Sequence, residues 1–341
     1  MQILTLETGS RAGDDFLGSV LCQTVTRSSS VRAIAVRKGQ IVNEDELATL
    51  RSIERQNVRV IRLENGDVHE DEAGRRVAAA VAGPGVTLEG PTQSRLNLVA
   101  ANRGIAVIDR AALTVVNTIP DVAVFTVLPF QPVQKGEVVA GAKVVPVVTR
   151  EESIVQAERL AAEHWPIVQV KAFRPLTVGV VSKQRPDAKL RRRFEDVLRR
   201  KLAWFGGSLG SLRYVEPDVA SVTAGFENVL DAGADLILTA GSSSADPLDS
   251  LLVSVEALGG SLEVRGTPTH PGSFFWLAYL DDHPVFGMPS CGAYSESTVV
   301  DLLLLRVFAG LRPTRADIAA LGTGGLFGRG SDALFPDYRI T

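Results

Sequence analysis

The spacing of apolar residues along the first half of the chain predicts short strands alternating with helices. Asn43 is followed by a run of carboxylates, which is typical of a helix N-cap, and a helix is predicted over 44–56. A second helix is predicted over 70–82, and residues 93–95 are interpreted as a polar loop. We therefore expect residues 1–149 to form a smaller α+β domain.

The second half has a different pattern, in which apolar runs of strand length alternate with amphipathic helices. Residues 176–182 and 235–239 are predicted strands, and the spacing over 188–205 predicts a helix. Strands connected by such helices form parallel sheets that are covered on both faces. The fold class expected is α/β: a three-layer α/β/α arrangement around a mostly parallel sheet, preceded by the smaller domain. The predicted division is an accessory domain (1–149), a helix and linker (150–174), the α/β domain (175–330) and a tail (331–341).

Composition excludes several classes of protein. The chain of 341 residues has a net charge of −3, so it lacks the basic surplus by which nucleic-acid-binding proteins release counterions. Its 2 cysteines are too few for a disulfide scaffold, and no apolar run is long enough to span a bilayer. The first residues lack the basic and apolar segments of a signal peptide. We expect a cytoplasmic protein that binds neither nucleic acid nor membranes.

Three loops rich in Gly, Ser and Pro follow predicted strands, at 182–184, 241–246 and 287–292. In a parallel sheet the carboxyl ends of the strands lie at one edge, and ligands collect there. Small residues let backbone N–H groups approach an anion, and the dipole of the following helix attracts it. The three loops therefore predict a phosphate-binding site at this edge of the sheet.

Two carboxylates, Asp246 and Asp249, complicate a site for a bare phosphate because they would repel it. They fit if one of them holds Mg²⁺ against phosphate oxygens, or accepts hydrogen bonds from an amino-bearing ring. A phosphorylated pterin satisfies both conditions. The alternative is structural: Ser244 or Asp246 caps the following helix, with Pro247 in its first turn.

Residues 235–249, DLILTAGSSSADPLD, resemble a Gly- and Ser-rich segment of a known ligand-binding domain. Further segments of that domain resemble THPG at 269–272, GMPSC at 287–291 and TRADIAALGTGG at 314–325. The domain is the molybdopterin-binding domain shared by molybdopterin adenylyltransferases and molybdenumtransferases, and this chain looks like a divergent branch of that family. The resemblance covers half of the chain, while residues 1–149 vaguely resemble the accessory domains of molybdenumtransferases.

The resemblance implies a ligand, a metal and a set of site residues. The ligand is molybdopterin or its adenylated form, Mg²⁺ is held by Asp246 and Asp249, and Asp249 is the catalytic acid. The ligand-binding residues expected are Ser182, Gly241, Ser242, Ser243, Ser244, His270, Pro271, Gly272, Ser273, Pro289, Ser290 and Cys291. The resemblance also implies molybdate as a further substrate, a molybdoenzyme client and a homo-oligomer.

Three positions depart from the family's pattern. Ser242 replaces a glycine of the phosphate loop, which restricts the approach of the backbone to a ligand. His270 and Ser273 stand where the family has lysines, and a neutral His and a Ser hold an oxyanion less well. Asp249 is retained. These departures favour ligand binding over molybdate insertion.

Some of these residues have a structural interpretation beside the functional one. Cys291 is either a reactive thiolate at a helix N-terminus or a packed thiol, and His270 is either an oxyanion contact or a surface histidine. The aromatic residues over 274–279 are expected to pack in the core and in a hairpin. The chain has neither a Gly-x-Ser-x-Gly elbow nor a Gly-Lys-Ser/Thr loop, which argues against a serine hydrolase and a P-loop nucleotidase.

The function expected is therefore molybdopterin binding in molybdenum cofactor biosynthesis. The reaction expected is that of a molybdenumtransferase, with Mg²⁺-dependent handling of molybdopterin or adenylated molybdopterin and insertion of the metal. One alternative is a non-catalytic molybdopterin carrier or insertion chaperone, which the absence of both loop lysines favours. Another alternative is a domain that binds a different nucleotide-like ligand.

Overall fold

The computed structural model describes residues 1–28, 33–92, 94–184, 186–289, 298–328 and 331–336. The chain divides into two compact units, of which the first comprises 1–102, 106–129 and 133–170, and the second 103–105, 130–132 and 171–341. The division at 149 and 174 expected from the sequence stays a prediction. No helix in the described part of the chain is both long enough and apolar enough to cross a membrane.

Strands and short helices alternate in the first 172 residues. The strands are β1 (Gln2–Glu7), β2 (Ser19–Leu21), β3 (Val25–Thr26), β4 (Ile34–Val36), β5 (Asn57–Arg62), β6 (Asp67–His69), β7 (Val86–Thr92), β8 (Arg95–Ala100), β9 (Gly104–Ile108), β10 (Val122–Thr126), β11 (Pro132–Val133), β12 (Val138–Val144), β13 (Val148–Arg150) and β14 (Val168–Ala172). The helices are α1 (Glu44–Ser52), α2 (Glu70–Val81), α3 (Arg110–Val116) and α4 (Glu151–Glu163).

Two local features of the first unit can be compared with the sequence predictions: the start of α1 and the start of β8. The Asn43 side chain accepts hydrogen bonds from the backbone of Asp45 and Glu46 in a capping box, as the sequence predicts. The predicted end of the polar loop at 93–95 is wrong, because Arg95 is already the first residue of β8. That strand pairs antiparallel with β7, and four of its six residues are buried, so packing of its side chains decides its conformation.

The second unit alternates longer helices with strands. The strands are β15 (Thr177–Ser182), β16 (Ser208–Tyr214), β17 (Leu236–Ala240), β18 (Ser261–Arg265), β19 (Trp276–Leu280) and β20 (His283–Gly287). The helices are α5 (Ala188–Phe205), α6 (Val219–Asp231), α7 (Ser250–Ala257), α8 (Val299–Phe308) and α9 (Arg315–Ala319).

These six strands form one sheet in the order β16-β15-β17-β20-β19-β18. The pairs β16–β15, β15–β17 and β17–β20 are parallel, and the pairs β20–β19 and β19–β18 are antiparallel. The predicted α/β class is confirmed in this coarser form, as a mixed α/β structure with a partly parallel sheet. The antiparallel part arises because a two-residue connection joins β19 directly to β20.

The core of the second unit explains why its inner strands β17 and β19 are buried on both faces. Every residue of β17 and β19 is buried. One set of their side chains packs with the apolar faces of α6 and α7, around Phe226 and Leu251. Elsewhere in the unit, the rings of Phe205 in α5 and Phe308 in α8 stack with their centroids 4.5 Å apart.

Candidate functional site

The loops at the carboxyl ends of β15, β17 and β20 line one cavity, together with the segment that connects β18 to β19. Its volume is about 590 Å³. The residues that line it are Gln184, Gly241, Ser242, Ser243, Ser244, Ala245, His270, Pro271, Gly272, Ser273, Phe274, Met288 and Pro289. Because parallel strands end at the same edge of a sheet, residues distant in sequence come together here.

The serine loop after β17 is held in place by its own side chains. Gly241 has a φ of +86°, a left-handed conformation that favours glycine, and it starts the loop. The Ser242 hydroxyl accepts a hydrogen bond of 2.6 Å from the indole Nε1 of Trp276. The Ser244 hydroxyl donates to the carbonyl of Phe274, and Arg265 Nε donates to the Ser244 carbonyl over 2.6 Å. Both hydroxyls therefore shape the loop as well as facing the cavity.

Trp276 reaches Ser242 because a glycine lies opposite it in the sheet. Trp276 pairs with Gly287 across β19 and β20. A Cβ atom added at Gly287 would lie 2.0 Å from the indole nitrogen, so only glycine leaves room for this ring. Gly287 thus positions the serine loop indirectly, through the buried tryptophan.

The loop that carries His270 is fixed by the segment after α9. The backbone N–H of His270 donates to the Gly325 carbonyl over 2.7 Å, and the N–H of Phe327 donates to the His270 carbonyl over 2.9 Å. Gly272 is buried, and a Cβ atom there would come within 2.9 Å of Val299. The exposed His270 side chain therefore stands on a well-anchored backbone beside the cavity.

Asp249 forms hydrogen bonds with both of its carboxylate oxygens. It is buried at the N-cap of α7, where Oδ1 accepts from the Leu251 N–H over 2.9 Å. Oδ2 accepts from the Ser243 N–H over 2.7 Å and from Lys183 Nζ over 2.9 Å. Asp249 therefore ties three elements together: the loop after β15, the serine loop and the start of α7.

These contacts do not fit the Mg²⁺ site that the resemblance implies. A lysine ammonium and a backbone N–H converge on Asp249 Oδ2, where a cation would have to bind. Asp246 is exposed and does not line the cavity, and its Oδ1 accepts from the Leu248 N–H over 2.9 Å. Among the described residues, no group of three or more His, Cys, Asp and Glu side chains could hold a metal ion.

The structure brings most of the expected ligand-binding residues to the cavity, and leaves a few elsewhere. Those that line it are Gly241, Ser242, Ser243, Ser244, His270, Pro271, Gly272, Ser273 and Pro289. Ser182 does not line it; the Ser182 hydroxyl accepts from the Gln184 N–H over 3.2 Å and shapes the turn. Asp246 and Asp249 lie outside the lining as well. Ser290 and Cys291 fall outside the described residues.

Sequence reasoning missed several residues of the site. Gln184 and Lys183 belong to the first of the three predicted loops, but the loop alone does not reveal that Lys183 pairs with Asp249. Phe274 was expected to pack in the core or hairpin, and this is wrong: its side chain is 67% exposed at the cavity. The strand β19 begins after it, so Phe275 and Trp276 take the buried positions instead.

The cavity offers donors for an anion and an apolar surface for a ring. The backbone N–H groups of Ser244 and Ala245 donate to no acceptor within the described ranges, so they are available to a ligand. Phe274 presents an exposed aromatic ring at the same cavity. Backbone donors suit phosphate oxygens, and aromatic faces suit flat heterocycles. The arrangement is suited to a small ligand that has both.

No protein-family model matches this chain, and no curated protein matches it. Among solved structures it is similar to the molybdopterin biosynthesis MoeA protein of Pyrococcus horikosii, with a TM-score of 0.32 and 15% identity over 70% of this chain and 79% of that one. It is also similar to a NadC deletion mutant, with a TM-score of 0.17 and 11% identity over 47% of this chain and 69% of that one. Likenesses this distant assign no function, which therefore has to be argued from the cavity.

Proposed function

We propose that this protein binds molybdopterin, or its adenylated form, in the cavity at the carboxyl edge of the six-stranded sheet. The single observation that carries the proposal is the lining of that cavity. Three of the four sequence segments that resemble the molybdopterin-binding domain contribute lining residues, at 241–245, 270–272 and 288–289. The three-layer arrangement typical of that family, the division of the chain and the homo-oligomer belong to the same proposal.

The chemistry of the lining supports a phosphorylated pterin. The N–H groups of Ser244 and Ala245 would receive the phosphate. The ring of Phe274 would stack on the flat heterocycle, and His270 lines the same cavity. A volume of about 590 Å³ lies within the range of small-ligand pockets, about 300–1,000 Å³.

The experiment that tests the proposal is binding of molybdopterin and adenylated molybdopterin to the purified protein, with and without Mg²⁺, followed by addition of molybdate. Binding followed by release of AMP on addition of molybdate is expected of a molybdenumtransferase. Binding without turnover is expected of a carrier that delivers the cofactor to a molybdoenzyme. If neither form binds, the proposal is wrong, whichever metal is present.

Replacement of Phe274 by alanine tests the stacking contact. Stacking on an aromatic side chain contributes about 1–3 kcal/mol per base, so Phe274→Ala is expected to weaken binding of molybdopterin at least about fivefold. Leu248→Ala is a matched control, because Leu248 is 78% exposed in the same unit but does not line the cavity. Equal affinities of the two variants, measured by titration calorimetry, would remove Phe274 from the site.

A carrier rather than a transferase is the second candidate, and one observation favours it. The loop at 269–273 holds His270 and Ser273 where the related enzymes have lysines. The Ser273 hydroxyl donates to the Thr269 carbonyl, so it already has a partner within its loop. A site with fewer cations binds a transferred oxyanion less well, while it retains its pterin contacts.

A further inference from the structure

Lys183 and Asp249 form an ion pair next to the serine loop, and the proposed function assigns this pair no role. Lys183 Nζ lies 2.9 Å from Asp249 Oδ2, and the exposed fractions of the two side chains are 12% and 3%. Carboxylates beside phosphate sites normally hold a cation, because otherwise they repel the phosphate. Here a lysine of the same chain supplies the positive charge.

We propose that the Lys183 ammonium takes the place of a divalent cation beside Asp249, so that the cavity binds phosphate-type oxyanions without a metal. The proposal rests on the proposed function, in that it states how the phosphate of that ligand is held. It departs from the Mg²⁺ site that the resemblance implies.

The position of the ammonium supports this role. Lys183 Nζ and the backbone N–H of Ser243 donate to the same oxygen of Asp249, and Ser243 lines the cavity. Lys183 does not line the cavity itself, so its ammonium lies directly behind Ser243, and its side chain is 12% exposed. An ammonium has three N–H donors, and Asp249 uses one of them. Within the part of the chain that the structure describes, Lys183 Nζ has no second acceptor, which leaves two donors for an oxyanion.

The net charge of the Lys183–Asp249 pair also supports this role of the lysine. Asp249 alone would repel a phosphate, but its pair with Lys183 carries no net charge. The N–H groups of Ser244 and Ala245 add donors on the same loop. A metal ion on Asp249 Oδ2 would lie beside the Lys183 ammonium, and the two positive charges would repel each other at that distance. The lysine and a metal therefore compete for one place.

The first test measures the metal alone, by electron paramagnetic resonance of free Mn²⁺ titrated with protein. The wild-type chain is expected to show no Mn²⁺ site. Lys183→Met keeps the apolar stem and removes the charge, so it is expected to gain one site that Asp249→Asn abolishes. Lys189→Met, an exposed lysine of α5, is the control and should behave as wild type. A Mn²⁺ site in the wild type, or no gain in Lys183→Met, would overturn the proposal.

The second test measures binding of inorganic pyrophosphate by calorimetry, in EDTA and in Mg²⁺. The wild type is expected to bind equally in both. Lys183→Met is expected to bind about 10- to 100-fold more weakly in EDTA, which is the loss of one charge-assisted hydrogen bond, and to recover in Mg²⁺. Lys183→Arg should stay independent of the metal. No binding by the wild type in EDTA would contradict the proposal.

These outcomes are separable from those for the proposed function. Metal-independent pyrophosphate binding without any molybdopterin binding would leave the role of Lys183 standing and remove the proposed ligand. Molybdopterin binding that requires Mg²⁺ in the wild type would keep the ligand and refute the role of Lys183. Circular dichroism of each variant excludes misfolding as the cause of lost binding.

Discussion

Among the described residues of the second unit, two lysine–aspartate pairs of similar length lie in different surroundings. Lys201 and Asp301 join α5 to α8 over 2.7 Å, with side chains 6% and 0% exposed. Lys183 and Asp249 join two loops at the cavity over 2.9 Å, with side chains 12% and 3% exposed. The aspartate also caps a helix in each pair, Asp301 in a capping box with Thr298 and Asp249 at the start of α7.

The difference between them lies in what each lysine can reach. Lys201 is buried between two helices, where its ammonium contacts Asp301 and is shielded from solvent. Lys183 does not line the cavity itself, but its ammonium shares Asp249 Oδ2 with the N–H of Ser243, which does, and its side chain is 12% exposed. A buried pair contributes little net stability but is costly to break, since removal of one partner leaves an isolated charge. Distance alone therefore does not separate a structural pair from one that is suited to binding.

The largest expected loss of stability comes from a substitution that breaks the buried Lys201–Asp301 pair. Lys201→Met leaves Asp301 fully buried without its counter-charge, which costs about 3–5 kcal/mol of unfolding free energy. Lys183→Met is expected to cost less, about 1–3 kcal/mol, because Asp249 keeps the N–H donors of Ser243 and Leu251.

Urea unfolding of both variants measures these losses. Lys189→Met, on the exposed face of α5, is the control and should stay within about 0.5 kcal/mol of the wild type. Equal losses in Lys201→Met and Lys183→Met would show that the two pairs are energetically alike, contrary to the comparison.

A smaller effect is expected from a substitution that disturbs the serine loop next to the Lys183–Asp249 pair. The Cβ atom of Gly287→Ala would lie 2.0 Å from Trp276 Nε1, so the indole must move and its bond to Ser242 is lost. Overpacking of this kind costs about 1–3 kcal/mol. Because Ser242 precedes the Ser243 N–H that binds Asp249, pyrophosphate affinity should fall as well.

Tryptophan fluorescence and pyrophosphate calorimetry of Gly287→Ala check that coupling. Gly328→Ala is a suitable control, since no atom lies within 4 Å of the added Cβ. Unchanged emission together with unchanged affinity would show that the tryptophan does not position the serine loop.

The sequence allowed the regular elements to be predicted where a single local signal dominates. The helix at Ala188–Phe205 was predicted with its observed ends, because apolar spacing and Gly206 mark them. The hairpin of β7 and β8 was missed although the two strands are neighbours in sequence. The strands β1 and β2 were missed because they pair with β5, which lies far from them in sequence. Strand pairing is a tertiary property that no window of a few residues contains.

Prediction of the candidate site went as far as the loops but not as far as their contacts. Three loops at strand ends follow from the order of strands and helices. The partner of Asp249 does not follow, because Lys183 is 66 positions away and no spacing rule relates the two. The exposure of Phe274 depends on which residue begins β19, and strand ends are the least certain part of a sequence prediction.

The smallest expected effect provides an uncharged reference for both pairs. The buried hydroxyl of Tyr279 donates to the Pro313 carbonyl over 2.8 Å, so Tyr279→Phe should cost about 1 kcal/mol at neutral pH, less than the loss of Lys201.

Burial raises the pKa of Tyr279 from 10.0 to about 12, although the guanidinium of Arg312 over its ring opposes this. The unfolded chain therefore releases this proton near pH 10 while the folded chain retains it, so stability falls as the pH rises from about 10 to about 12. Ultraviolet titration of tyrosinate and urea unfolding over that range should both lose this step in Tyr279→Phe and keep it in Tyr214→Phe; a late step that persists in Tyr279→Phe would refute the assignment.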